Sequence, residues 1–438
     1  MSVKALIIAA GRGSRLKGLT KDEPKPLIKL LGLSLVERVI LTAKRAGIDE
    51  FVMVIGYLGE RIREELGDGD RYGVKITYIE NREWERGNGV SVLKAKELLN
   101  EEFVLLMADH IFDVEILHSL LKTRLEGDEC VLVVDKRPPD YIDLREATKV
   151  KVRDDKIVDI GKRMKEYDAT DCGIFLCTQS IFKALDESIK DGDETLSGGI
   201  NVLSRAGRVK AFEIKDNFWI DIDTKSDYNK AEKILCEKLI KPTDGPVSKF
   251  LNRPISIRIS KLLVRTKIKP NTISILSFFI ASLSALFFSL GDYLYIIIAG
   301  ILSQLGSIVD GCDGEVARLK FQQSDYGAWF DAVLDRYADA LIISGMAYGY
   351  WLLHSDIKIW ITGVIALTGS FMNSYTAIKL DSILINNKNI PRIRFGRDIR
   401  LFLIMAGAVL NQIFYTLTII GILTNAESIR RLYTLRNR

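Results

Sequence analysis

Histidine is nearly missing from this chain, with three in 438 residues, so chemistry built on imidazole is not expected to be central. Cysteine is scarce as well. Cys130, Cys172, Cys177, Cys236 and Cys312 stand at no spacing that suggests a metal knuckle or a disulfide framework, which fits a reducing compartment. No signal-peptide pattern opens the chain, because Met1 to Ala10 leads straight into a strand-and-glycine motif. The first 240 residues hold no apolar run long enough to span a bilayer. The charge balance is also slight: 62 basic against 57 acidic side chains give a net charge of +5, and no nucleic-acid partner is expected.

What is present is a mixture. Hydrophobic residues make up 47% and charged residues 27%, as expected of a soluble part joined to a membrane part. From Ile273 onward, apolar runs of spanning length dominate. Inside them lie four carboxylates in two pairs. Asp310 and Asp313 are three apart, and Asp331 and Asp335 four apart, so each pair shares one face of a helix. Uncompensated charge at a bilayer edge is costly, and acids placed there face a polar cavity and serve a function. Four carboxylates repel one another unless a cation stands between them. Oxygen ligands favour a hard ion, Mg²⁺ with Mn²⁺ as the alternative. Gly311, Gly314, Ala317 and Gly327 leave room for a close helix or a bulky ligand.

These residues fill every fixed position of D-x2-D-G-x2-A-R-x8-G-x3-D-x3-D, from Asp310 to Asp335. The stretch resembles the CDP-alcohol phosphotransferases, which move a phosphate-linked alcohol from CDP to an acceptor hydroxyl and release CMP. The resemblance implies that Asp310, Asp313 and Asp331 hold the metal and that Asp335 is the general base and a further candidate ligand. It also implies that Gly314, Ala317 and Arg318 shape the cytidine pocket.

The first half opens with an apolar strand, Val3 to Ala10, and the turn Gly11-Arg12-Gly13-Ser14-Arg15-Leu16. Glycines there let backbone amides approach phosphates. Pro24-Lys25-Pro26-Leu27 follows. A-A-G-x-G-x-R-L with a downstream P-K-P-L resembles the nucleotidyltransferases that join a nucleoside triphosphate to a sugar phosphate, over about residues 3 to 232. Arg15 and Lys25 are then catalytic, neutralising the triphosphate and the attacking phosphate, with Gly11 and Gly13 in the nucleotide loop. Strands at Phe51–Ile55, Lys75–Ile79 and Phe103–Ala108 alternate with helices at Leu35–Ala46 and from the Glu85–Ser91 loop through Leu99. In the family, a segment like Gly87-Asn88-Gly89-Val90-Ser91 holds base and ribose, which makes Gly87, Asn88 and Ser91 nucleotide candidates; a plain N-terminal helix turn is the alternative. Asp109, at the end of a strand, and Asp221, in a W-x-D segment, are the expected metal ligands. Asp223 competes with Asp221, two residues along on the same strand face. Asp171-Cys172-Gly173-Ile174-Phe175 departs from the family's T-G-I-F-like segment near the acceptor, and Lys162 is a candidate for the acceptor's phosphate. The resemblance is strongest to the branch that makes CDP-inositol from CTP and inositol 1-phosphate.

The joint, Lys241-Pro242-Thr243-Asp244-Gly245-Pro246, breaks a helix. Val247 to Lys269 reads as a basic amphipathic helix, with Arg253, Arg258, Lys261, Arg265, Lys267 and Lys269 set against anionic headgroups. Spans are expected at Pro270–Leu290, Tyr293–Val316, Tyr326–Leu353 and Ile357–Ile378. The run Leu401–Leu423 suffices for one span by length. A polar turn at Asn411-Gln412 divides it into two, which keeps Arg430, Arg431, Arg436 and Arg438 on the cytoplasmic side. Lys379, Lys388, Arg392, Arg394, Arg397 and Arg400 crowd one loop. Arg397 and Arg400 are candidates for an acceptor phosphate; positive-inside bias explains them equally well.

The expected fold is an α/β, Rossmann-like nucleotidyltransferase over residues 1–232, a linker with basic juxtamembrane helices over 233–270, and an all-α six-helix transmembrane domain over 271–438. The expected placement is a multi-pass protein of the cell membrane, with the soluble domain and both termini in the cytoplasm. The expected partners are CTP, a CDP-alcohol, inositol 1-phosphate and the lipid bilayer. A second copy is expected through the membrane domain, with Gly345 and Gly349 as contacts. Two alternatives remain: transfer from CDP-diacylglycerol with an inactive head, and a membrane protein whose acids only carry cations.

Overall fold

The computed structural model describes residues 3–13, 15–16, 23–384 and 395–436. The chain divides into two compact units, Met1–Ile234 and Leu235–Arg438.

The first unit is built on a nine-stranded mixed sheet. Its strands run in the order Lys75–Glu80, Glu50–Ile55, Lys4–Ala9, Phe103–Met107, Ala169–Cys177, Cys130–Asp135, Val209–Glu213, Lys156–Gly161 and Lys149–Arg153. The first four are mutually parallel, and Ala169–Cys177 enters antiparallel. Lys4–Ala9 is apolar on both sides because it is covered on both. Ala5 and Ile7 pack into one buried layer and Leu6 into the other. Leu35–Arg45 starts where Ser34 and Glu37 form a capping box. The helix expected through Leu99 spans only Asn88–Leu93, because the bonds after it tighten to i→i−3, as from Ala95 to Val92 and Lys96 to Leu93.

This topology sets the site. Lys4–Ala9 lies beside Phe103–Met107 in parallel register, so the loop at Gly11 and the acid Asp109 leave the same carboxyl edge. A short strand, Trp219–Asp221, pairs antiparallel with His110–Phe112 and sets Asp221 opposite His110.

The second unit is all-helical. Arg253–Leu263 leads to Pro270–Ser289, Tyr293–Leu319, Asp325–His354, Lys358–Leu384, Arg397–Val409 and Ile413–Arg436. Among the described residues, Pro270–Ser289 and Tyr293–Leu319 are long and apolar enough to cross a membrane, with mean hydropathies of 1.9 and 1.6. The apolar run Leu401–Leu423 is interrupted at Asn411-Gln412, where Asn411 takes a left-handed φ of 56° and Gln412 N–H donates to the Gly407 carbonyl.

Two expectations need correction. Gly345 and Gly349 are occupied within the chain. A Cβ on either would collide with the carbonyl oxygens of Ala285 and Phe288, so these glycines seat the Asp325–His354 helix on Pro270–Ser289. Arg253 does not face headgroups either. It turns inward to Asp244 at 2.9 Å and to Glu315 at 2.7 Å, because the buried Glu315 needs a counter-charge. Arg431 is likewise buried, against the carbonyl of Asn373. Lys388, Arg392, Arg394 and Arg438 lie outside the described residues.

Candidate active sites

In the first unit, Lys25 is the hub. Gly13, at a φ of 65°, brings the glycine loop so close that a Cβ there would strike the Lys25 stem. The buried Lys25 Nζ donates to Asp109 Oδ2 at 2.5 Å and Asp223 Oδ1 at 2.7 Å, with Asp221 Oδ1 at 3.9 Å. Burial opposes its charge, but the three carboxylates outweigh burial and raise its pKa. Arg15 Nη1 reaches Asp223 Oδ2 at 3.0 Å and Glu146 Oε2 at 2.9 Å. Asp223, the competitor in the sequence, is thus the partner of both bases.

His110 Nδ1 lies 2.9 Å from Asp109 Oδ1 and 3.8 Å from Asp221 Oδ1. Burial lowers its pKa, yet Asp221 and Asp109 together hold it up at about 9. Burial pushes Asp221 up to about 6, with Asp109 repelling it. Asp109 is held low: burial works against this, and Lys25 and His110 overcome it. The ring of His110 stacks on Trp219 and fits only because residue 173 is glycine, at a φ of 69°. The scarcity of histidine concealed this residue. Its position directly after Asp109 at a strand end was the available signal.

A cavity of about 630 Å³ opens beside these groups, lined among others by Arg15, Asn88, Asp109, His110, Lys162 and Asp171. A smaller one of about 230 Å³ is lined by Gly11, Gly13, Arg15, Lys25 and Asp109. Asn88 lines the large cavity while its side chain accepts from Leu196 N–H at 2.8 Å. Gly87 packs against Glu194. Ser91 is buried and bonded to Asn81 Nδ2 at 2.9 Å, and it lines neither cavity.

In the second unit, Tyr293–Leu319 carries Asp310 and Asp313, and Asp325–His354 carries Asp331 and Asp335. Carboxylate oxygens of Asp310, Asp331 and Asp335 lie within 4.8 Å of one another. Asp313 is held by Ser274 Oγ at 2.5 Å and by the Gly314 amide. Ser277 Oγ donates to Asp310 Oδ1 at 3.0 Å. Arg397 Nη1 reaches into the acids, 2.6 Å from Asp335 Oδ1 and 3.1 Å from Asp310 Oδ2. Arg400 does not face an open site. It is 3% exposed and bonded to Asp339 Oδ2 at 2.6 Å, so the expectation that it meets a substrate phosphate is corrected: its charge is spent on a buried carboxylate. Arg318 Nη1 packs over Gly314, near enough that a Cβ there would lie 3.2 Å away. Ala317 accepts from Gln322 N–H at its carbonyl, 2.8 Å away.

Sequence reasoning passed over Asp339 and Glu315. The first continues the i, i+4 series of Asp331 and Asp335. The second sits within the signature and accepts from Ser256 Oγ at 2.6 Å and Ser260 Oγ at 2.7 Å.

Both acid clusters suit a cation. Asp221 Oδ1 and Asp331 Oδ1 are buried and meet no hydrogen-bond partner among the described residues, and a buried carboxylate oxygen left so is costly. Asp331 belongs to a group of three carboxylates, with Asp310 and Asp335, whose oxygens converge as a hard cation requires, and Asp221 converges with the carboxylate of Asp109 and the imidazole of His110.

Residues 4–238 match the family model described as Nucleotidyl transferase, and residues 267–426 match CDP-alcohol phosphatidyltransferase. The chain is similar to a Rubrobacter xylanophilus protein named Bifunctional IPC transferase and DIPP synthase. The two are 39% identical over 99% of this chain and 97% of that one. A protein of the same name from Aquifex aeolicus is 34% identical over 98% of this chain and 97% of its own. A solved structure described as the inositol-1-phosphate CTP transferase from T. maritima is 31% identical, covering 53% of this chain and 94% of its own, with a TM-score of 0.48. By end-to-end identity and by both family models, the chain belongs to the family of bifunctional IPC transferase and DIPP synthase proteins.

Proposed function

We propose that the chain performs two consecutive reactions. In the first, the phosphate of inositol 1-phosphate attacks the α-phosphorus of CTP. The bond to the β-phosphate breaks, giving CDP-inositol and pyrophosphate. In the second, a hydroxyl of another inositol 1-phosphate attacks the inositol-bearing phosphorus of CDP-inositol. CMP leaves, and di-myo-inositol phosphate phosphate forms. The observation that carries this reading is the presence of two separate acid clusters, each inside its own family match, on one chain aligned from end to end with bifunctional relatives.

In the first site, Lys25 and Arg15 neutralise the triphosphate and the incoming phosphate, since phosphoryl transfer is chiefly positioning and charge stabilisation. Gly11 and Gly13 let backbone approach the phosphates, Gly87 and Asn88 shape the base and ribose end, and Lys162 meets the acceptor's phosphate. In the second site, Asp335 takes the proton of the attacking hydroxyl. Arg397 neutralises the acceptor's phosphate, while Gly314, Ala317 and Arg318 frame the cytidine. Mg²⁺, with Mn²⁺ as the alternative, supplies charge neutralisation at the phosphate oxygens when bound. Asp109 and Asp221 would hold it in the first site, and Asp310, Asp313 and Asp331, with Asp335 as a further ligand candidate, in the second.

The reading divides the chain at residues 1–232, 233–270 and 271–438. It places the last part across the cell membrane as six spans, with the soluble domain and both termini cytoplasmic and a homodimer formed through the membrane domain. Exposed apolar side chains on the helices, such as Ile275, Leu276, Phe279, Leu294, Ile361 and Ile422, support lipid contact. Offering CTP, CDP-inositol and CDP-diacylglycerol separately, each with inositol 1-phosphate, tests the reading. Pyrophosphate release with CTP and CMP release with CDP-inositol are expected. CMP release only with CDP-diacylglycerol would overturn it.

A further inference from the structure

The Asp325–His354 helix presents three acids at four-residue intervals, Asp331, Asp335 and Asp339, each step rising about 6 Å along the axis. The first two converge with Asp310; Asp339 does not belong to that group. It lies one turn farther along and is 6% exposed. Both of its oxygens are taken. Oδ1 accepts from Arg397 Nε at 3.1 Å, and Oδ2 accepts from Arg400 Nη2 at 2.6 Å. Arg397 is therefore gripped from behind by its Nε while its Nη1 points at Asp335 and Asp310. An arginine side chain has several rotatable bonds, and fixing one unaided costs entropy; a buried carboxylate that binds Nε removes that freedom in advance. Arg400 completes the arrangement, because a buried carboxylate facing two guanidinium groups is better compensated than one facing a single group.

We propose that Asp339 is a positioning residue for the transfer reaction. By tethering Arg397 at Nε, it aims the outer end of the guanidinium, whose Nη1 faces Asp335 and Asp310, at the phosphate of the acceptor beside Asp335. The inference rests on the reading that Arg397 binds that phosphate. Asp339 itself touches neither substrate nor metal. Its effect is on the binding of a phosphate-bearing acceptor and not on the CDP-alcohol.

The test uses the full chain in mild detergent, with CDP-inositol supplied and each substrate varied in turn. Asp339→Asn keeps the shape but removes the charge. Its expected result is a rise of about tenfold in the KM for inositol 1-phosphate, the equivalent of one charge-assisted hydrogen bond. The KM for CDP-inositol is expected to stay level. Arg397→Ala raises the same KM, and adding Asp339→Asn to it brings little further change, because the tether then has nothing to hold. A purely structural Asp339 gives equal losses for both substrates, or a further loss in the Arg397→Ala background; either overturns the proposal. A normal acceptor KM in Arg397→Ala overturns the underlying reading as well. An altered KM in Arg397→Ala with a normal one in Asp339→Asn overturns the proposal alone. Should Asp339→Asn fail to accumulate, Asp339→Glu retains the charge but displaces the tether, and the same selective rise in acceptor KM is required of it.

Discussion

Asp109→Asn separates the two activities. In the folded chain Asp109 accepts from Lys25 Nζ at 2.5 Å and lies 2.9 Å from His110 Nδ1. The amide keeps one oxygen and the shape but loses the charge. Lys25 still has Asp223 at 2.7 Å, so its ammonium is not stranded. The stability loss is thus that of one charge-assisted contact, about 1.5–3 kcal/mol, and not that of an uncompensated buried charge. The rate suffers more. Removing one preorganised group that stabilises developing charge costs about 10²- to 10³-fold. Pyrophosphate release from CTP with inositol 1-phosphate falls by that factor. CMP release from supplied CDP-inositol stays within about twofold, since the acids from Asp310 to Asp335 belong to the other compact unit and sites that share no partners act independently. Both releases are measured on the same purified, folded protein. A parallel loss of both activities, or normal pyrophosphate release, refutes the reasoning.

Asp335→Asn is expected to bind CDP-inositol normally in equilibrium titration and to lose turnover by about 10²-fold or more, as on removal of a general base; near-normal turnover would show that another group takes the proton. Glu315→Ala deprives Arg253, Ser256 and Ser260 of a shared partner and is expected to destabilise the chain by about 3 kcal/mol, read as a lowered thermal midpoint in detergent. Burial raises Asp171 from 3.8 to about 6. Its folded-state pKa is the higher one, so the ionisation cost is absent below 3.8, grows between the two values and is full above 6. Asp171→Asn therefore raises the denaturant midpoint more at pH 8 than at pH 5, and an equal gain at both contradicts the assignment. If the proposed two C-terminal crossings hold, a cysteine replacing the exposed Tyr433 is expected to be labelled by an impermeant thiol reagent only from the cytoplasmic face; labelling from the outside would leave a single crossing there.

The residue pattern alone determined much of this protein. A strand apolar on both faces followed by glycines implies a sheet covered on both sides, and Val3–Ala10 reads so whatever follows it. The signature from Asp310 to Asp335 places its acids by helical spacing, a local property of 3.6 residues per turn. The polar pair Asn411-Gln412 interrupts an apolar run because two amides favour a turn over apolar packing, and the chain does break there. What surrounds these acids was not legible. Asp221 comes beside Asp109 only because Trp219–Asp221 pairs with His110–Phe112, a contact across more than 100 residues. Asp223 was weighed as a rival ligand, and the fold makes it the partner of Arg15 and Lys25. Arg253 and Arg400 looked like charges for a membrane surface and a phosphate, yet each is turned inward to a buried carboxylate. Sequence shows that a charge exists, but whether it meets water, a ligand or another charge depends on which buried groups the fold leaves without a partner, and that is settled only when distant elements pack together.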